Sequence, residues 1–435
     1  MKKSKLTLQD KLNHRHYKIP NPFFYWIYSF ASRRIIAKKY HPTYVIKDNI
    51  NDCHGPAFVI WNHQSRRDHA FITAITSPRR INILAGYNEF FRSHLHQVFK
   101  LMNIIPKKNF TNDVASLRGM NEIIRKGGVV CFSPEGVSSN NGMNQPICSG
   151  TGRFLQFYHI PVYIVSLKGS YLTNTKIDEA DRIGEVEVEL SLLFSPDDLN
   201  KMTPEQIEDT INDKFTFDDY AYNKKKHVAY ANDGNICRHL YDLCYRCPKC
   251  GEEFHMEADK NYIQCPHCGN GATMDDYYDF HPYNEECVIP ESPCKWDIMQ
   301  RETIIKEIRE DPHYCFKEHV KVGYLPPDHY VKDKKTTELC GEGELSIDHQ
   351  GIHFVGTKLD KPWSFDLNYK TYFTCTSVTD LSFFFFYVNG EYHDFFPTRP
   401  CVEKIRLLVE EMHRLHVNYW KNLPSQQYLY STDKK

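Results

Sequence analysis

Cys247-Pro248-Lys249-Cys250 and Cys265-Pro266-His267-Cys268 place two C-x2-C pairs a short segment apart, each followed directly by a glycine, Gly251 or Gly269. Each pair is a knuckle that can present two thiolates to one ion. Four thiolates at about 2.3 Å in a closed tetrahedral set favour zinc. The alternative is two unrelated cysteine pairs or a redox site. A segment this small has no core of its own, so it is expected to fold around the metal, whose role is then structural. The candidate ligands are Cys247, Cys250, Cys265 and Cys268. Cys237, Cys244, Cys287 and Cys294 lie nearby but lack partner spacing.

The rest of the chain is long enough, at 435 residues, for two or three domains with cores of their own. Its fifteen cysteines, an odd number, without a leader-like start, are expected in a reducing cytosol. The formal net charge of −1 names no partner. The distribution says more: between residues 1 and 47 lie Lys2, Lys3, Lys5, Lys11, Arg15, Lys18, Arg33, Arg34, Lys38, Lys39 and Lys47 against Asp10 alone. Residues 1–19 read as a loosely held basic arm. Pro22 to Ala31 then sets Phe23, Phe24, Tyr25, Trp26, Tyr28 and Phe30 beside four cations. Rings next to cations suit a membrane interface; the same rings also suit a helix packed on the protein's own core. No apolar run approaches the ~20 residues that span a bilayer. Nothing near the arm reads as a base-recognition module, so no nucleic-acid role is expected.

From about 56 to 195 strands alternate with helices, which predicts an α/β fold with a mainly parallel sheet. Ala57 to Trp61, Ile81 to Ala85, Val129 to Ser133 and residues 161–167 read as strands. Phe90 to Met102, Asn112 to Lys126 and about 151–158 read as helices. Glu185 to Phe194 alternates as a half-exposed strand, and Thr203-Pro204-Glu205 opens a helix. After the cysteine pairs, Ile298 to Arg309 is helical. The chain then becomes strand-rich, with Asn389-Gly390 as a hairpin turn. A helix from Cys401 to about Trp420 carries Val402, Ile405, Leu408, Val409, Met412 and Leu415 as one apolar stripe. The expected division is a membrane-interface segment (1–47), an α/β domain (48–235), the metal segment (236–280), a helical linker (281–312), an antiparallel β domain closed by one helix (313–420) and a polar tail (421–435).

The chemistry-bearing stretch is Trp61-Asn62-His63-Gln64-Ser65-Arg66-Arg67-Asp68. On one regular helix His63 and Asp68 would point about 140° apart. The pattern offers a strand-to-helix corner instead. Ser65 is expected as N-cap, with Asp68 three residues on in a capping-box-like position. Asp68 would then reach back from the first helical turn to the His63 imidazole and fix its tautomer, as a general base requires. The plainer reading is that Asp68 only caps a helix.

Asn62-His63-Gln64-Ser65-Arg66-Arg67-Asp68 together with Phe132-Ser133-Pro134-Glu135-Gly136 resembles the first and third motifs of the glycerolipid acyltransferases, the 1-acylglycerol-3-phosphate type, with their H-x4-D and F-P-E-G boxes. Ile160-Pro161-Val162-Tyr163-Ile164-Val165 looks like the fourth motif. The resemblance covers roughly residues 20 to 200. It implies transfer of an acyl group from acyl-CoA or acyl carrier protein to a lysophospholipid hydroxyl, by default lysophosphatidate, with no catalytic metal. His63 would be the base, Asp68 its orienting group, and Glu135 and Gly136 would shape the acceptor site. Backbone N–H groups at a helix start or tight turn would take the oxyanion. The chain departs from the family at three points. Ser133 stands between Phe132 and Pro134, Val137-Ser138 replaces Thr-Arg, and Ile104-Ile105-Pro106-Lys107-Lys108-Asn109 replaces the Arg-bearing second motif. Lys107 or Lys108 would act as point charges for the acceptor phosphate, without the bidentate fork of Arg; the alternative reading is two solvated loop lysines.

The cysteine segment looks like a zinc ribbon, and the C-terminal strands with their helix resemble a pleckstrin-homology or GRAM-type domain, which docks lipids or proteins. The combined reading is a cytoplasmic enzyme held peripherally on the cytoplasmic membrane face. The competing reading is a scaffold or docking protein whose acyltransferase-like domain is inactive.

Overall fold

A computed structural model describes residues 6–417 of the chain. Its first sheet has strands β1 (Pro42–Ile46), β2 (Ala57–Trp61), β3 (Ile81–Gly86), β4 (Ile105–Lys107), β5 (Val129–Phe132), β6 (Val162–Lys168) and β7 (Val186–Phe194), in the spatial order β1-β7-β6-β2-β5-β3-β4. Every neighbouring pair is parallel except β6 and β7. β2 is buried along its whole length, as its unbroken apolar run requires of a central parallel strand. Its side chains alternate between two cores. Val59 and Trp61 face Ala70, Phe71 and Ile75 of the helix Asp68–Thr76. Phe58 and Ile60 face Met120, Leu155 and Ile207, from helices on the opposite face. The sheet is therefore covered on both sides. The ends of β2, β4, β5 and β6 open at one edge, where parallel α/β sheets bind their ligands.

Local differences from the expected elements have clear causes. The stretch from Phe90 becomes a 3-10 turn, Tyr87–Phe91, and the helix begins only at His96. Residues 6–19 are not a loose arm. Leu8, Leu12 and Tyr17 are buried, the Leu8 N–H donates to Pro327 O at 2.7 Å, and the Tyr17 N–H donates to Glu122 at 2.7 Å. Three apolar anchors in a basic stretch outweigh its charge. Among the described residues no helix is long and apolar enough to cross a membrane.

The cysteine segment carries a four-stranded antiparallel sheet of β8 (Glu257–Asp259), β9 (Tyr262–Gln264), β10 (Gly271–Met274) and β11 (Phe280–Pro282), in the order β11-β10-β9-β8. One apolar cluster runs from Tyr171 through Tyr245 and Ile263 to the C-terminal helix. The stretch expected to be a linker is part of that cluster. In its helix, Pro293–Glu310, Trp296 is fully buried and Arg301 pairs with Glu410 and Glu411 at 2.6 Å each.

The last sheet is antiparallel: β12 (Cys315–Tyr324), β13 (Glu338–Asp348), β14 (Ile352–Lys358), β15 (Lys361–Leu367), β16 (Thr376–Ser377), β17 (Phe384–Val388) and β18 (Glu391–Pro397), in the order β15-β14-β13-β12-β18-β17-β16. Asn389 and Gly390, with φ of 51° and 82°, make the primed turn that joins β17 to β18. The helix Val402–Val417 follows, and its expected end near Trp420 lies outside the described residues. Its polar side is buried as well, because Glu403, Arg406 and Glu410 form ion pairs and hydrogen bonds with neighbouring elements, while Leu415 is exposed.

This C-terminal unit is joined directly to the α/β unit. Asn140 donates to Glu403 at 2.7 Å and accepts from Ser377 at 3.0 Å, and Asn141 donates to Asp297 at 2.7 Å.

Candidate active site

β2 ends at Trp61, and Asn62 stops it by imitating a ladder partner: its side chain donates to Leu167 O and accepts from Leu167 N–H, both at 2.8 Å. The chain then turns at His63. Asp68 begins the next helix, with Arg67 rather than Ser65 at the N-cap. The expected capping box is therefore absent. Asp68 folds back instead and gathers the turn around its carboxylate. Oδ2 accepts the His63 ring N–H from Nδ1 at 2.8 Å and the Gln64 backbone N–H at 2.8 Å; the Ser65 N–H reaches both oxygens at 3.1 and 3.0 Å. Oδ1 also accepts the Ser65 and Ser170 hydroxyls at 2.9 and 2.7 Å. Asp68 is fully enclosed, so this many donors is what keeps an ionised carboxylate tolerable there. The arrangement assigns the proton to Nδ1 and leaves Nε2 of His63 with its lone pair. The His63 ring is partly exposed and lines a cavity. At this helix start the N–H groups of Gln64 and Ser65 are already taken by Asp68.

The Pro-Glu-Gly turn lies beneath this corner. Glu135 is buried, 2% exposed, and does not face the cavity. One oxygen takes the backbone N–H of His63 at 2.7 Å and the other that of Gln145 at 2.6 Å. Burial pushes its carboxyl up to about 8 against the pull of those two bonds. Gly136 does line the cavity, at φ 76°, and a side chain there would press on Phe110 and Cys148. Of the two lysines, Lys107 lines the cavity and gives its Nζ to Lys108 O at 2.9 Å; desolvation lowers its pKa. Lys108 lies over the Tyr87 ring, 4.8 Å from its centre, and is not part of the cavity wall.

The cavity has a volume of about 1680 Å³. Leu84, Met120, Phe132 and Phe154, which line it together with His63, give it apolar surface. Its opposite wall comes from the last sheet and adjoining loops, including Lys321, Lys335, Thr376, Asp380 and Phe383. Sequence reasoning missed that wall and also missed Ser170 and Lys176. Ser170 stands 102 positions from the Asp68 it supports, a separation that leaves no local pattern. Ser138, where the chain departs from Thr-Arg, accepts the Lys176 ammonium at 2.8 Å.

The four knuckle thiolates meet far along the chain from this corner. Cys247 and Cys268 Sγ are 3.6 Å apart, Cys250 and Cys265 Sγ 3.8 Å, and all four lie within 4.8 Å of one another. Tetrahedral ligands at about 2.3 Å would be about 3.8 Å apart. The two halves are built alike: the Gly251 N–H bonds to Cys247 O and the Gly269 N–H to Cys265 O, each at 2.9 Å with positive φ. The set fits one metal ion.

A model of the Acyltransferase family matches residues 41–168, the segment that holds His63, Asp68, Glu135 and Gly136. That match supports acyltransferase activity in general terms. No curated protein matches the chain. Among solved structures, the 1-acyl-sn-glycerophosphate (LPA) acyltransferase PlsC from Thermotoga maritima is similar over 46% of this chain and 79% of its own, at 16% identity and a TM-score of 0.37.

Proposed function

We propose that the chain transfers a fatty acyl group from the thioester of acyl-CoA or acyl carrier protein to the hydroxyl of a lysophospholipid, lysophosphatidate by default, giving phosphatidate. The observation that carries this is the His63–Asp68 pair, 2.8 Å apart, at a large cavity with an apolar side. An alcohol is a weak nucleophile near neutral pH. His63 Nε2 takes its proton as the oxygen attacks the thioester carbonyl, and Asp68 steadies the imidazolium. Collapse of the tetrahedral intermediate breaks the C–S bond, and the leaving thiolate recovers the proton from His63. The apolar side receives acyl chain. Gly136 leaves room for the acceptor, and Lys107 supplies a cation beside it; Glu135 serves by holding the backbone of His63.

Cys247, Cys250, Cys265 and Cys268 hold one structural zinc in this reading, and the ribbon they fold braces the C-terminal unit, itself a PH-like docking module. The enzyme works on the cytoplasmic face of a membrane. On the helix Pro22–Ala31, Tyr25 and Ser29 face the body while Phe23, Trp26, Ile27 and Phe30 are exposed, which supports insertion of those rings at headgroup depth. The test is a radiolabelled acyl-donor assay of purified protein over a panel of lysolipids. Labelled diacyl product supports the proposal. No product from any acceptor, in protein shown to be folded, contradicts it and favours a docking role.

A further inference from the structure

Lys176 follows β6 on the cavity wall and is 8% exposed. A buried ammonium needs a counter-charge or several acceptors. Among the described residues, its Nζ makes one hydrogen bond, to Ser138 Oγ at 2.8 Å, and no ion pair. Neither nearby carboxylate pairs with Nζ directly. Glu403 is held by Arg406 and Asn140, while Asp380 takes the N–H and hydroxyl of Ser382 on Oδ1 and gives its own N–H to Lys176 O at 2.7 Å, so its charge lies near Lys176 without a hydrogen bond to Nζ. Burial pushes Lys176 down to about 8; Arg406 adds to the fall, and Glu403 and Asp380 oppose it. Ser138 also lines the cavity, and by accepting from Lys176 it leaves its own O–H to donate. The next residue, Ser139, gives its N–H to His63 O at 2.9 Å, which places this donor pair beside the catalytic corner. The pair presents N–H and O–H donors on the cavity wall.

We propose that Lys176 Nζ and the Ser138 hydroxyl hold the phosphate monoester of the acceptor while His63 deprotonates its alcohol. This rests on the reading of the cavity as the acyl-acceptor site. A phosphate monoester adds a directly bonded counter-charge and accepts from both donors at once. Lys107, also on the cavity wall with one of its three N–H donors on Lys108 O, is then a second contact.

The test is equilibrium titration of the full chain, without acyl donor, with three probes: short-chain lysophosphatidate, the matching monoacylglycerol, and inorganic phosphate. Lys176→Met should weaken lysophosphatidate binding by about tenfold to a hundredfold, the range for a charge-assisted hydrogen bond, and leave monoacylglycerol unchanged. Competition by inorganic phosphate in the wild type alone would assign the site to the phosphate itself. Equal lysophosphatidate affinity in wild type and variant overturns the proposal, as does a wild type that does not prefer lysophosphatidate to monoacylglycerol. The unaltered protein gives a second test: its lysophosphatidate affinity should fall as pH passes about 8, where the phosphate stays dianionic. A flat profile overturns the proposal even if Lys176→Met fails to fold. Because no step requires turnover, a chain that binds in this way but transfers no acyl group contradicts the proposed reaction alone.

Discussion

The Glu135 carboxylate accepts the backbone N–H of His63 across 2.7 Å, and the two residues are 72 positions apart. The two motifs that the sequence suggests as partners are thus one buried unit, in which Glu135 holds the backbone of His63 from behind. Its other oxygen ties in Gln145. Glu135→Ala would leave two buried N–H groups without partners, at about 1–3 kcal/mol each. Urea unfolding should show a loss of about 2–6 kcal/mol. The pH dependence has a definite sign. With the folded carboxyl near 8 and an ordinary value of 4.5, the unfolded chain releases this proton first as pH rises. The contribution is complete below about 4.5 and is lost as pH climbs to about 8. Wild type should lose stability over that window, and Glu135→Gln should not show that component of the loss.

Metal content should be one zinc per chain by elemental analysis, and replacement of Cys247 and Cys265 by Ser should abolish it. The consequences should extend beyond the segment itself, because Trp296 donates its indole N–H to Arg246 O at 2.8 Å, next to Cys247. Removal of the metal with a chelator should shift tryptophan emission to the red, and a Trp296→Phe variant should show much less of that shift. Purified wild type without metal would contradict the closed thiolate set.

The exposed rings of the Pro22–Ala31 helix separate membrane docking from core packing. Phe23→Ser, Trp26→Ser and Phe30→Ser together should reduce sedimentation with anionic vesicles at least tenfold, since each buried ring is worth about 1.5–3 kcal/mol. Stability should change little, because these side chains are exposed in the folded protein. Unchanged vesicle binding would remove the docking role from this helix.

Much of this architecture is readable in the sequence where the signal is local. The apolar run Ala57–Trp61, the Asn389-Gly390 turn and the Thr203 cap each specify their element within a few residues. The His63–Asp68 contact is legible for the same reason, although the capping box assumed for it is not what forms. What remained hidden depends on distant packing. Ser170 and Lys176 reach the site because β6 lies next to β2. The helix Val402–Val417 reads as half-exposed from its stripe, yet Glu403 and Arg406 are buried by a loop and a helix whose positions no local pattern reports. The second cavity wall follows from the same long-range contacts.

In the proposed reaction His63, oriented by Asp68, removes the proton from the acceptor hydroxyl. The most direct measurement is the single-turnover rate of acyl transfer by wild type, His63→Ala and Asp68→Asn, each checked for an unchanged melting curve. His63→Ala should show no detectable transfer and Asp68→Asn a fall of about 10³–10⁴-fold, the size expected when an imidazole loses its orienting carboxylate. Transfer by folded His63→Ala at the wild-type rate would contradict that role for His63.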